Sequence, residues 1–280
     1  MDFQPDPDFL RPSKIAGQYW LADLPQRGSI AKIALGTGWP DLDQLFKFYP
    51  EQFVVLTGLA GSGKSTFMFN VLAKMAIEQD VRCFLYVPEN EGSLHEKFEL
   101  LWPGDAVQYQ HFANNQCRVQ SAIPQSWTEP YHDIGWVLEK AEYAVKYEDC
   151  GIVFLDPWNE FDRIMHKGQL MTDYIGEAIM AIKQFARCYR VSVVMAAHPT
   201  KNVLHREDGA IGLGDIEGSM NWYNKCDNGL IIKRNGNAAA VISAKVREIG
   251  AGQIGCCQFN VDPYTGKFTP MYGSTVNVIP

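Results

Sequence analysis

The sequence predicts an α/β protein, a mainly parallel twisted sheet flanked by helices and extended on its C-terminal side by antiparallel strands. Three observations predict it. Residues 58–66 read GLAGSGKST and sit between an apolar, β-branched run at 53–57 and a stretch where Phe67, Val71, Leu72, Met75 and Ala76 recur at helical spacing. Downstream, short apolar runs alternate with helix-length amphipathic stretches, the pattern of parallel strands joined by crossover helices. The last three strand candidates have links too short for a crossover, so they continue the sheet antiparallel.

In chain order, residues 1–35 read as a tail and linker punctuated by Pro5, Pro7, Pro12 and Pro25, with room for one short helix at 15–24. Trp20, Leu21 and Leu24 in this segment either dock on a neighbouring subunit or pack on the chain's own core. Residues 36–280 then form one domain. Asp41 is placed to cap a short helix carrying Leu42, Leu45 and Phe46 inward. Strands are expected at 53–57, 82–87, 117–123, 152–155, 191–197, 229–233, 239–244 and 255–261, and helices at 64–79, 93–101, 134–148 and 171–188. Long polar loops follow at 162–170 and 201–216, beyond strands whose carboxyl ends are where open α/β sheets bind ligands.

Composition narrows the function classes. The chain has 280 residues, 46% of them hydrophobic, with no apolar run near the roughly 20 residues that a membrane span needs. Its acidic, Pro-containing N-terminus is unlike a signal peptide. Seven cysteines without a C-x-x-C pair point to reduced core thiols in the cytoplasm, not to zinc. A net charge of −7 argues against coating duplex DNA by bulk electrostatics, but permits a locally basic groove or pore.

The chemistry-bearing residues begin with the loop at 58–66, which fits the phosphate-binding pattern G-x-x-x-x-G-K-[ST]. Backbone N–H groups from Gly58, Ala60, Gly61, Ser62, Gly63 and Thr66 converge on an anion, and the following helix N-terminus adds its partial positive charge. Lys64 reaches the β- and γ-phosphates of ATP, and the Ser65 hydroxyl holds Mg²⁺. Asp156, after four apolar residues, is placed to orient the metal. Glu89 is the first acid past strand 82–87 and can polarise an attacking water, with Glu91 as a weaker competitor. His198 ends strand 191–197 and either contacts the γ-phosphate, reporting its loss to the 201–216 loop, or is a satisfied turn residue. Lys245 and Arg247 share one side of a strand end. They are either a solvated pair or, acting on another subunit's ATP, an arginine finger and its companion. Arg163 and Lys167, with Lys201 and Arg206, make two modestly basic loops that grip single-stranded nucleic acid only when several copies line a hole.

Taken together, Gly38-Trp39-Pro40-x-Leu42-Asp43, the phosphate loop, Glu89, Asp156-Pro157-Trp158-Asn159-Glu160, His198-Pro199-Thr200-Lys201, Gly218-Ser219-x-x-Trp222-x-Asn224-Lys225-x-Asp227-Asn228-Gly229 and Lys245-Val246-Arg247…Gly250 resemble one family. It is the RecA-like motor domain of DnaB-type ring helicases, nearest the Twinkle and phage primase-helicase branch, over about residues 36–270. The resemblance implies a RecA-like P-loop NTPase core in a hexameric ring that moves 5′→3′ on single-stranded DNA and hydrolyses ATP with Mg²⁺ between subunits. It gives Glu89 the catalytic carboxylate, Asp156 the second metal position and His198 the sensor. Lys245 and Arg247 act in trans, the loops at 162–170 and 201–216 face DNA, and Arg234 and Phe259 fall where the family contacts the base. It further implies replication of a phage or other replicon in a bacterial or phage-infected cell, with a separate primase or polymerase as partner. No primase or zinc-binding region precedes the motor in this sequence, so primer synthesis is not expected of it. The alternatives are a RecA-like DNA-dependent ATPase that does not unwind, as in recombination, and a helicase loader or adaptor. The intact set of Lys64, Glu89, Asp156 and Arg247 argues against the adaptor.

Overall fold

The computed structural model describes residues 19, 21–23, 28–102, 105–124, 126, 128, 129, 132–206, 210–271 and 273. β1 (Phe53–Thr57) is buried along its whole length because its two faces meet two different cores. Val54 and Leu56 join Phe67, Leu72 and Met75 on one side. Phe53 and Val55 join Ile179 and Ile182 on the other. A strand lined this way reads in sequence as a continuous apolar run.

Among the described residues, eight further strands complete one sheet: β2 (Arg82–Tyr86), β3 (Cys117–Val119), β4 (Cys150–Leu155), β5 (Ser192–Ala197), β6 (Asn228–Asn235), β7 (Ala238–Val246), β8 (Gly255–Val261) and β9 (Phe268–Pro270). Their order is β3-β2-β4-β5-β1-β6-β7-β8-β9. Pairing is parallel from β3 to β6 and antiparallel from β6 to β9, as the sequence predicts. Helices α1 (Ile30–Ile33), α2 (Pro40–Asp43), α3 (Lys64–Gln79), α4 (Leu94–Glu99) and α5 (Ala106–Asn115) precede α6 (Ile134–Glu148), α7 (Met171–Tyr189) and α8 (Asn221–Lys225). The buried residues of α2 to α5 cover one face of the sheet. Those of α6 to α8 cover the other. Among the described residues no helix is long and apolar enough to cross a membrane.

Several elements depart from expectation for local reasons. β3 stops at Val119 because Glu91 accepts from the Ser121 hydroxyl and from the Ala122 N–H at 2.8 Å, which draws the chain off the ladder. Asp41 lies inside α2 and does not cap it. Trp39 holds the cap position, Pro40 starts the helix, and Asp43 accepts from Thr37 N and Oγ1 at 2.5 and 2.7 Å. Of the tail residues expected to dock, Trp20 and Leu24 lie outside the described set, and Leu21 is exposed. α1 rests on the chain itself: a Cβ on Gly250 would stand 2.8 Å from Ala31 Cβ.

Phe259 requires a correction. The strand alternation of β8 turns it inward, where it is fully buried and meets Trp39, Phe268 and Phe67 at ring separations of 5.0, 5.7 and 6.4 Å. No face is left for a nucleotide base. Phe259→Ala is therefore expected to cost about 3–5 kcal/mol in urea unfolding. Phe259→Leu, which keeps most of the volume, is expected to leave nucleotide affinity unchanged, and a selective loss of affinity would return Phe259 to the site.

Candidate functional site

The loop between β1 and α3 needs glycine at two points for different reasons. A Cβ on Gly58 would stand 2.4 Å from the Ile232 carbonyl, so only glycine lets β6 pass. Gly63 has φ +90 and caps α3, with Phe67 N donating to its carbonyl at 2.8 Å. Lys64 follows at the first helical position, 5% exposed. Its ammonium donates to the Gly58 and Leu59 carbonyls at 3.0 and 3.2 Å and lies 3.2 Å from His198 Nδ1. An ammonium accepts nothing, so Nδ1 must be the acceptor and the ring neutral on that nitrogen. Burial lowers the pKa of both groups. Lys64 lowers that of His198 further, while Asp156 and Glu89 partly restore that of Lys64.

Asp156 follows β4 and is 2% exposed. Burial raises its carboxyl from 3.8 to about 6, against the opposing Ser65 hydroxyl and Lys64 ammonium. One carboxylate oxygen, Oδ2, is buried without a partner. An orphaned carboxylate oxygen beside a serine hydroxyl is a hard-oxygen donor set, and it fits Mg²⁺. Glu89 lies on the exposed 3₁₀ turn Pro88–Ser93, and its charge is felt by both Lys64 and Asp156. Its rival Glu91 is occupied by Ser121 and Ala122, so Glu89 is the carboxylate that faces the site.

Lys64, Ser65, Asp156, Glu89 and His198 thus converge at the carboxyl ends of β1, β2, β4 and β5. Arg234 stands beside them, since a Cβ on Gly63 would lie 3.5 Å from its Nη1. The aromatic ring next to the loop is Phe268, at 3.8 Å by the same measure, and not Phe259. Asn70 holds the β8–β9 turn here, donating to the Gly266 carbonyl at 3.0 Å and accepting from Phe268 N at 2.9 Å.

The loop after His198 closes on itself. Glu217 N donates to the His198 carbonyl at 3.0 Å and Thr200 N to the Asp215 carbonyl at 2.8 Å. Arg206 contributes to this closure: its guanidinium holds both Asp215 oxygens, at 2.6 and 2.7 Å, and the Ala210 carbonyl at 2.9 Å. The Arg206 side chain remains 44% exposed, with its charge paired to Asp215. Arg163, Lys167 and Lys201 are exposed.

Lys245 and Arg247 lie elsewhere. Val246 pairs with Asn228, which pairs with Val54 at the start of β1, and Arg247 N donates to the Asp227 carbonyl at 3.0 Å. The phosphate loop leaves the other end of β1. At roughly 3.3 Å per residue, five residues separate the two sites by about 13–16 Å. One residue without an assigned role in the sequence proves central at this far end. Asp227 accepts from Phe53 N (2.9 Å) and from Lys183 Nζ (2.6 Å), and stands 3.2 Å from Arg247 Nη1. The signal for it was available: an acid entering the apolar run 226–232 needs partners if it is buried.

The chain is 30% identical over 258 residues to the Twinkle homolog protein, chloroplastic/mitochondrial, of Arabidopsis thaliana, covering 84% of this chain and 36% of that protein. It therefore spans about a third of the relative's length. The ATPase domain of G40P superposes at a TM-score of 0.72 with 17% identity, over 88% of this chain and the whole of that one. The fold is that of a RecA-like ATPase domain of the DnaB kind, and the sequence relationship is to Twinkle. A DnaB-like replicative helicase, solved for its interactions with primase, superposes at 0.69 with 16% identity over 84% of this chain and 61% of that one. No family model matches the sequence.

The Asp156 environment yields a pH prediction. With a carboxyl pKa of about 6 folded and 3.8 unfolded, the folded chain holds a proton that the unfolded chain has lost. The resulting stability is complete below pH 3.8 and is lost as pH rises through about 6, by on the order of 3 kcal/mol. Asp156→Asn cannot lose it. In urea unfolding without Mg²⁺, the variant should gain on the native chain between pH 4 and 7. A stability difference that stays constant with pH would contradict the assignment.

Proposed function

We propose that this chain is the motor of a ring-shaped replicative DNA helicase, which hydrolyses ATP between subunits and moves along single-stranded DNA. The observation that carries the proposal is the separation of the phosphate loop from the Lys245/Arg247 pair by the length of β1. A subunit cannot bring its own pair to its own nucleotide, so each offers one half-site at each end. Heterologous contacts of that kind close into a ring when the rotation between subunits closes and run on as a filament when it does not; the kinship with Twinkle favours the ring.

The chemistry then divides by residue. The loop 58–66 and Lys64 bind the phosphates, and Arg234 flanks the nucleotide. Mg²⁺ held by Ser65 and Asp156 would screen phosphate charge. Glu89 orients the attacking water and takes its proton. His198 senses the γ-phosphate through its hydrogen bond with Lys64 and passes the change to the 199–217 loop. The neighbour's Arg247 and Lys245 stabilise charge that develops on the transferred group. Arg163, Lys167 and Lys201 supply phosphate contacts to the DNA strand. The Twinkle kinship supports the replicative setting, and the DnaB-like neighbour's interaction with primase supports primase as a partner. The 5′→3′ direction follows the family.

Arg247→Ala is expected to bind ATP normally and lose about 10³-fold or more in turnover. Mixed with Lys64→Ala, which binds no nucleotide but offers an intact Arg247, activity should return at intermediate ratios. No recovery at any ratio would contradict action in trans. Unwinding of a tailed duplex separates a helicase from an ATPase that only coats DNA. Replacing Arg163, Lys167 and Lys201 with Gln should flatten the salt dependence of single-strand binding, by up to about 0.7 in slope for each DNA phosphate no longer neutralised. Arg206→Gln should leave the slope unchanged, because Asp215 already neutralises that charge; an equal flattening would restore Arg206 to the DNA surface.

A further inference from the structure

We propose that α8 relays the state of a subunit's own nucleotide site to the Lys245/Arg247 pair it offers its neighbour, with Trp222, Tyr223 and Asp227 as positioning residues. The proposal rests on the trans role of that pair. An unbroken hydrogen-bonded path joins the two ends. Lys64 Nζ meets His198 Nδ1 at 3.2 Å, and the His198 carbonyl accepts from Glu217 N at 3.0 Å. The Glu217 carbonyl accepts from Trp222 Nε1 at 3.2 Å. Trp222 belongs to α8, and its fully buried ring stands edge-on to Trp158, 5.2 Å away and two residues beyond Asp156. The head of α8 is therefore gripped by both the sensor strand and the metal strand.

The tail of α8 grips the cations. The last carbonyls of a helix have no partner within it and attract positive charge. Here every one from Tyr223 to Cys226 receives a cation. Lys245 Nζ donates to the Tyr223 and Asn224 carbonyls at 2.5 and 3.2 Å and lies 5.0 Å from the Tyr223 ring centroid. Lys183 Nζ donates to the Lys225 carbonyl at 2.9 Å. Arg247 Nη2 donates to the Asn224 and Cys226 carbonyls at 3.2 and 3.3 Å. Asp227 then fixes the remaining geometry, holding Lys183 and Arg247 on one oxygen and the β1 backbone on the other. A shift of α8 along the sheet must carry these carbonyls, and with them the two cations. Gain or loss of γ-phosphate at His198 displaces Glu217, Trp222 and α8 in turn, and so changes how Arg247 is presented to the next subunit.

A relay of this kind makes turnover at one site depend on occupancy of the adjacent one, which appears as cooperativity in ATP. In the full-length chain with single-stranded DNA, turnover against ATP concentration is expected to give a Hill coefficient near 2. Trp222→Phe keeps a ring against Trp158 and deletes the donor to Glu217. It is expected to bring the coefficient to about 1 while saturated turnover stays within roughly threefold. Tyr223→Leu alters only a half-exposed side chain and cannot empty the core, so it decides the matter if Trp222→Phe folds poorly. Removing the aromatic bed under Lys245 should lower the coefficient in the same way. A native coefficient of 1, or native cooperativity in both variants while Arg247→Ala is inactive, would overturn the relay and leave the trans assignment standing. Full activity in Arg247→Ala would overturn both.

Discussion

A five-residue buried strand sets the geometry of this molecule. β1 is anchored at its start by the Asp227 carboxylate on Phe53 N, and it delivers the phosphate loop at its end. Because both faces of the strand are packed, its length cannot change without disturbing two cores. The distance between the phosphate loop and the Lys245/Arg247 pair is therefore a property of the fold. The proposed assembly rests on that distance: if both ends act on one nucleotide, the second end must come from another chain.

The electrostatics at the two ends are solved differently. At the loop, an ammonium and a carboxyl are buried and an imidazole is half-buried, and the carboxyl and imidazole are shifted toward their neutral forms. The carboxyl of this cluster keeps an orphaned oxygen that a bound cation would satisfy. At the far end, Asp227 is nearly buried, but two cations and a backbone N–H satisfy it in every direction. The first end holds groups whose charged forms burial disfavours, and the second holds cations in a fixed relation to a short helix.

Much of the fold was legible because its elements obey local rules. The run 53–57, the helices at 64–79 and 134–148 and the strand at 255–261 fall at the boundaries that periodicity and caps predict, since each buries a face or two along its full length. What escaped was short or supported from outside. α5 buries only Tyr109 and Phe112 among Gln, His and Asn, α8 buries only Trp222, and β9 is three residues ending in Pro. None carries enough pattern to be read alone. The placement of the loop, Asp156, Glu89 and His198 at the carboxyl ends of strands was readable from sequence. Phe259 misled because a strand residue's inward or outward sense depends on what covers that face, here Trp39 and Phe67. The pairing of Arg206 was not readable because its partner Asp215 lies nine residues away and the loop between them has no period.

The measurement that tests the account most directly is ATP turnover per subunit as a function of protein concentration, with and without single-stranded DNA. Sites completed by a neighbour predict turnover that rises steeply as subunits associate and rises further with DNA. Turnover per subunit that stays flat with concentration and indifferent to DNA would mean that each chain completes its own site, and the geometry drawn from β1 would have no functional consequence.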